Sequence, residues 1–114
     1  MFNKKEIQKA EDVEFVERVP AVDVFENGDG YLIKVDLPGV RHGDVDLTLD
    51  EGEMKLEARA SSGWRYPVVY RRRFTVPRAI DREKVMASMT DGVLSLELPK
   101  AAAARETVIK VKAA

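Results

Sequence analysis

Four groups of residues in this chain have types and spacings that chemistry uses. Asp44, Asp46 and Asp50 bring three carboxylates close together, the kind of set that holds a calcium ion or serves as a general acid. They alternate with Val45, Leu47 and Leu49, and that alternation is the pattern of a solvated strand face. His42 is the sole histidine and stands in a polar turn, where it reads as a loop residue without catalytic or metal partners. Arg71, Arg72 and Arg73 are flanked by Tyr66, Tyr70 and Phe74, a mixture that can stack on and neutralise nucleic acid. In a strand, however, Arg72 points away from Arg71 and Arg73, so the three cannot form one patch, and ion pairs with the chain's carboxylates are the simpler use. The fourth group is the tail Val108-Ile109-Lys110-Val111, where Ile109 and Val111 put two branched side chains on one face of an extended peptide.

No glycine-rich phosphate loop, His-Glu-x-x-His helix or nucleophile elbow is present in the sequence. The chain therefore reads as a non-enzyme with no cofactor and no metal. A net charge of −1 over 114 residues argues against a dedicated nucleic-acid binder. There is no cysteine, which excludes disulfide and thiol chemistry and fits a reducing, cytoplasmic setting. The N-terminal Met-Phe-Asn-Lys-Lys-Glu lacks the apolar stretch of a signal peptide, and no apolar run approaches the roughly 20 residues that cross a bilayer. A length of 114 residues fits one domain, and 45% hydrophobic with 34% charged residues makes it a globular one.

The elements that position these groups are short strands. Residues 1–19 are charge-rich and read as a short arm; Ile7 and Ala10 fit a helical face, while Val13 and Phe15 alternate like a strand. The arm is either a partly ordered tail or an adhesive segment for assembly. From Pro20 the period is two. Val22 and Val24 lead to the turn Asn27-Gly28-Asp29-Gly30, where two glycines and an asparagine offer positive φ. Tyr31, Ile33, Val35 and Leu37 share the face of the return strand, and Pro38-Gly39 suits a type II turn. Val45, Leu47 and Leu49 form a hairpin with Met54, Leu56 and Ala58 through Glu51-Gly52. Trp64 and Tyr66 lie in a loop before the strand Val68 to Val76. Asp81 caps a short helical turn, and Val85, Ala87 and Met89 run into Asp91-Gly92, a second hairpin turn. Leu94, Leu96 and Leu98 then fall on one face of the strand expected to lie deepest, which Pro99 ends. Ala101 to Ala104 is a linker to the tail. Seven to nine short strands with turns between them indicate an all-β, antiparallel sandwich.

Three of these segments carry a family resemblance. Asp91-Gly92-Val93-Leu94 closed by Leu98-Pro99-Lys100 resembles the signature of the α-crystallin domain of small heat shock proteins. Leu37-Pro38-Gly39-Val40 is similar to the family's Leu-Pro-Gly-Val turn, and Arg72-Arg73-Phe74-Thr75-Val76-Pro77 to its Arg-x-Phe-x-Leu-Pro strand. The three occur in the family's order over about 20–100. The resemblance implies an immunoglobulin-like β-sandwich at 20–100, an arm at 1–19 and a C-terminal extension at 101–114.

The function it implies is ATP-independent holding of unfolding client proteins by a homodimer or larger homo-oligomer, with no nucleic acid or membrane partner. In that light Ile109 and Val111 resemble the family's Ile-x-Ile/Val motif, which docks on a neighbouring subunit. By position its groove would be lined by Val45, Leu47, Leu49, Val85, Ala87 and Met89. The other reading of the tail is that it closes its own sandwich. The resemblance makes Arg72 the arginine that pairs across the dimer interface, with Trp64 and Tyr66 as further interface candidates. Two features depart from the family pattern: the arm is short, and Ala60 to Tyr70 is shorter than the loop that carries an exchanged strand in bacterial, archaeal and plant members. Trp64 to Val69 is that strand in reduced form, or the dimer is built otherwise, or the chain is less assembled than its relatives. The alternative function is a protein-docking module like the related sandwich of co-chaperones, which typically lacks the Gly-Val-Leu…Leu-Pro-Lys and tail motifs.

Overall fold

The period-two runs between Val22 and Leu98 become strands, whereas the tail at 107–113 forms none. The computed structural model describes residues 7–10, 13–60, 66–104 and 107–113. Its strands are β1 (Ile7–Ala10), β2 (Val13–Arg18), β3 (Val22–Glu26), β4 (Gly30–Asp36), β5 (Val45–Asp50), β6 (Glu53–Ala60), β7 (Val68–Thr75), β8 (Met86–Thr90) and β9 (Val93–Pro99). Short 3-10 turns at His42–Asp44 and Arg82–Lys84 lead into β5 and β8, and a third follows β9 at Ala102–Ala104. Asp81 caps the second, its carboxylate accepting from the Glu83 amide at 3.3 Å. Among the described residues no helix is long and apolar enough to cross a membrane.

The strands form two sheets, β1-β2-β7-β6-β5 and β3-β4-β9-β8. All pairings are antiparallel except that of β2 with β7. The segment read as a free arm thus ends in strands. Its alternating residues make β2, which lies parallel to β7, with the Val16 amide donating to the Pro67 carbonyl at 2.8 Å.

The inner faces meet in one apolar core. Ile33, Val35 and Leu37 oppose Met54, Leu56 and Ala58 together with Val68, Tyr70 and Phe74. Strand β9 lies between β4 and β8, and its Leu94, Leu96 and Leu98 are buried, Leu96 completely. The Tyr70 hydroxyl donates to the Pro38 carbonyl at 3.4 Å, and burial raises its pKa above the usual phenol value. Turn chemistry fixes the register. Asp91 and Gly92 both have positive φ, at 50° and 76°, as a tight two-residue hairpin turn demands. The turn at Asn27 to Gly30 forms by other means. The Asn27 side-chain oxygen accepts from the Asp29 amide at 2.8 Å and the Gly30 amide at 3.1 Å, so the side chain does the work that positive φ was expected to do.

The outer face of the larger sheet carries an ion-pair ladder across four strands. Arg71 reaches Glu17 at 3.1 Å and Glu57 at 3.2 Å; Arg59 reaches Glu57 at 3.2 Å and Asp46 at 2.9 Å. The hydrogen bond to Asp46 is the main cause raising the Arg59 pKa. Arg71 also sits 5.5 Å from the Phe15 ring centre, so it holds β2 by charge and by packing.

Two outcomes follow from this packing. Leu96→Ala should cost about 2–5 kcal/mol in urea unfolding, because a fully buried side chain is removed between two sheets; a cost under about 1 kcal/mol would contradict the central place of β9. Arg71→Gln should cost about 1 kcal/mol or less at low salt, since its partners are partly exposed, and the cost should fade toward 1 M salt. A loss that does not change with salt would assign the effect to packing on Phe15 instead.

Candidate functional site

The sandwich does not close at the margin where β5 and β8 end their sheets. On β5 the inward residues are Val45, Leu47 and Leu49, paired across from Ala58, Leu56 and Met54. On β8 they are Ala87 and Met89, across from Leu96 and Leu94. Val85 stands at the end of the 3-10 turn just before β8, and it packs against the core from there. Five of the six residues expected to line a groove therefore lie on the inner faces of the two end strands, and Val85 lies just ahead of β8. No further strand covers them among the described residues, and all but exposed Ala87 are half-buried. A cavity of about 160 Å³ opens between the two strands, lined by Val45, Leu47, Ala87, Ser88, Met89 and Leu94 with His42 at its side.

His42 and Arg82 were not legible as parts of this margin. His42 opens the 3-10 turn that delivers the chain into β5, and that turn brings it beside the groove. Arg82 donates from Nη2 to the Leu49 carbonyl at 2.9 Å, linking the lead-in of β8 to the end of β5. The only signal for either was position, immediately before a strand that proved to be an end strand. Beyond Leu49 lies a larger cavity of about 400 Å³, lined by Leu49, Val76, Pro77 and Ile80 with Arg78 and Arg82 among its polar residues.

The tail stands away from its own sandwich. Ile109 is 80% and Val111 93% exposed. A groove with apolar walls and an exposed peptide with two apolar residues at period two have matching chemistry, but the two are not in contact within one chain.

The other margin belongs to β3. Among the described residues no strand lies beside its outer edge, and Val24 and Phe25 are 59% and 55% exposed. Arg72 faces inward, opposite Leu56, and donates from Nη1 to the Pro20 carbonyl at 3.3 Å while lying 5.6 Å from the Phe74 ring centre. Within one chain this arginine thus ties β7 to the lead-in of β3. Tyr66 is half-buried just before β7, and Trp64 lies outside the described residues.

Among the described residues no three His, Cys, Asp or Glu side chains converge as metal ligands. Asp46 is engaged by Arg59 on a solvent-facing strand. What the two margins can do chemically is bind extended apolar peptide or add a strand.

Comparison with known proteins follows the same lines. A sequence profile of the Hsp20/alpha crystallin family matches residues 23–113. The spore protein SP21 of Stigmatella aurantiaca is 37% identical over 93 residues, covering 72% of this chain and 55% of that protein. Small heat shock protein C4 of Rickettsia felis is 28% identical over 103 residues, covering 81% of this chain and 63% of that one. This chain therefore spans less than two thirds of the length of either relative. Among solved structures, a small heat-shock protein from Xylella fastidiosa, described as having a distinct high order structure, superposes with a TM-score of 0.68 at 29% identity, over 84% of this chain and 98% of that one. Heat shock protein 16.0 of Schizosaccharomyces pombe gives 0.67 at 27% identity, over 82% and 77%. A sandwich with this strand order, carrying the Leu-Pro-Gly-Val, Arg-x-Phe and Gly-Val-Leu segments where the family profile matches, belongs to the Hsp20/alpha crystallin family of small heat shock proteins.

Proposed function

We propose that this chain is an ATP-independent holdase that assembles with copies of itself and binds unfolding proteins. The observation that carries this reading is the pairing, on one family fold, of an open apolar groove with an exposed Ile109-x-Val111 tail. Within one chain the groove stays open and the tail stays exposed. A tail from a second copy would fill the groove between β5 and β8, placing Ile109 and Val111 against Val45, Leu47, Leu49, Val85, Ala87 and Met89. The same groove would be free for clients whenever tails leave it, so holding is mass action on unfolded chains and draws on no nucleotide.

Strand β3 offers the second contact. Its open edge can take a strand from another copy, and the part of segment 64–69 ahead of β7, with Trp64 and Tyr66 among its side chains, is the candidate; Val68 and Val69 are already paired on both sides within β7. Arg72 would serve the same interface from the Pro20 side. A cytoplasmic setting agrees with the absence of cysteine. The Xylella relative's high order structure supports self-assembly as the default for this fold.

Light scattering of a heat-labile client without ATP tests the activity. Suppression of aggregation at near-stoichiometric ratios is expected; aggregation unchanged by a folded chain would overturn the holdase reading and leave a docking module. Changing both Ile109 and Val111 to Ala should reduce the native mass by at least about half, because each groove then loses both anchors. An unchanged mass with a lower melting temperature would mean that the tail closes its own sandwich.

A further inference from the structure

The root of the tail is gripped from two sides. Strand β9 ends at Pro99, and Lys100 makes an isolated antiparallel bridge with Ile80. On that side the Asp81 amide donates to the Pro99 carbonyl at 2.8 Å, and the Ala101 amide to the Ala79 carbonyl at 2.6 Å. On the other side the Lys100 amide donates to the Asp29 carbonyl at 2.8 Å. The Lys100 side chain turns back into the β3–β4 hairpin. Its Nζ donates to Glu26 Oε2 at 2.8 Å and to the Asn27 carbonyl at 2.9 Å, and it lies 5.2 Å from the centre of the Tyr31 ring. Only 16% of the side chain is exposed, whereas a surface lysine ordinarily leaves its ammonium in water. Lys100 holds the Glu26 carboxyl below the usual carboxylate range, and Glu26 raises Lys100 in return.

The hairpin is shaped to receive this side chain. Asn27 closes the turn through its own side chain, and its amide donates to the Gly30 carbonyl at 3.0 Å. Gly30 pairs with Pro99, and a Cβ there would lie 2.5 Å from the Leu98 carbonyl oxygen and 2.9 Å from the Pro99 Cα. Only glycine lets the hairpin approach the end of β9 this closely, and the close approach brings Glu26, Asn27 and Tyr31 within reach of one amine.

We propose that Lys100 is a positioning residue for the tail: its socket in the β3–β4 hairpin fixes where and in which direction the chain leaves the sandwich. The proposal rests on the reading that the tail docks on another subunit. Eight residues lie between Lys100 and Ile109, nine Cα steps and a reach of at most about 30 Å. A tether that short delivers its anchor efficiently only when its origin and direction suit the target. Without the ammonium, the terminal bonds at Pro99 and Ala101 are the end of a ladder and open readily. The tether then begins earlier and points in many directions, so the concentration of Ile109 and Val111 at a neighbouring groove falls.

The test uses the full chain with Lys100→Met, which keeps the aliphatic stem and removes the charge, and Glu26→Gln as a second, milder variant. Three quantities are read: the concentration at half-assembly by sedimentation, the melting temperature, and binding of a labelled peptide of residues 106–113. Both variants should raise the half-assembly concentration, Lys100→Met by about three- to tenfold. The peptide should bind them at least as tightly as it binds the parent chain, because the groove is untouched and less often filled. Exchanging the pair, Glu26→Lys with Lys100→Glu, should restore part of the assembly. Unchanged assembly, with or without a lower melting temperature, would reduce Lys100 to a structural contact and overturn the proposal. A peptide that fails to bind even the parent chain would instead remove the docking reading, and the proposal with it.

Discussion

Neither sheet closes on itself, so each ends in strands whose outer backbone groups and inward side chains lack a covering layer. The chain meets this constraint differently at each margin. Beside β7 it supplies its own strand, β2, whose Val16 is fully buried and whose Glu17 enters the Arg71 ladder. Between β5 and β8 no described strand covers the margin, and an apolar groove stays open. At β3 it leaves a bare edge with Val24 and Phe25 in solvent. The margin beside β7 is thus covered within the chain, while the β5–β8 groove and the β3 edge stay open among the described residues.

The forces at these margins differ in kind, and the difference suits their uses. Exposed ion pairs are worth about 0–1 kcal/mol each, so the ladder orients β2 more than it holds it; the burial of Phe15 and Val16 does the holding. The groove is nearly free of charge. Covering one large apolar side chain there is worth roughly 1.5–3 kcal/mol before the cost of ordering the tail, which makes a contact that forms and breaks. Unfolding proteins offer the same kind of side chain, so under the proposed function a groove that released a tail would also suit them.

Most of the fold was legible because alternation marks both strand and face. Period two put Val45, Leu47 and Leu49 on one face and Val85, Ala87 and Met89 on another before any pairing was known, but that the two faces should line one groove came from the family resemblance. Val85 proved to lie just outside β8 and still faces the core, because the 3-10 turn ahead of it ends in extended backbone. The arm was harder. Ile7, Ala10, Val13 and Phe15 fit two periods at once, and only β7, distant in sequence, decides for strand. Arg82 and Lys100 were invisible for a different reason. Their roles depend on backbone carbonyls, of Leu49 in one case and Asn27 in the other, and no side-chain pattern announces a carbonyl.

The two unfinished margins are not independent. Glu26 is the last residue of β3, the strand with the bare edge, and it is also the carboxylate that holds Lys100. A strand added along β3 would order its backbone up to Glu26 and so favour the hairpin geometry that grips the tail. A tail drawn taut by docking would, in turn, pull on Lys100 and through it on the end of β3. If both contacts form, each lowers the ordering cost of the other, and reciprocity requires the same coupling in both directions. Assembly built this way would be cooperative although each contact is weak. The link between them would be a single lysine seated between a carboxylate, a carbonyl and an aromatic ring.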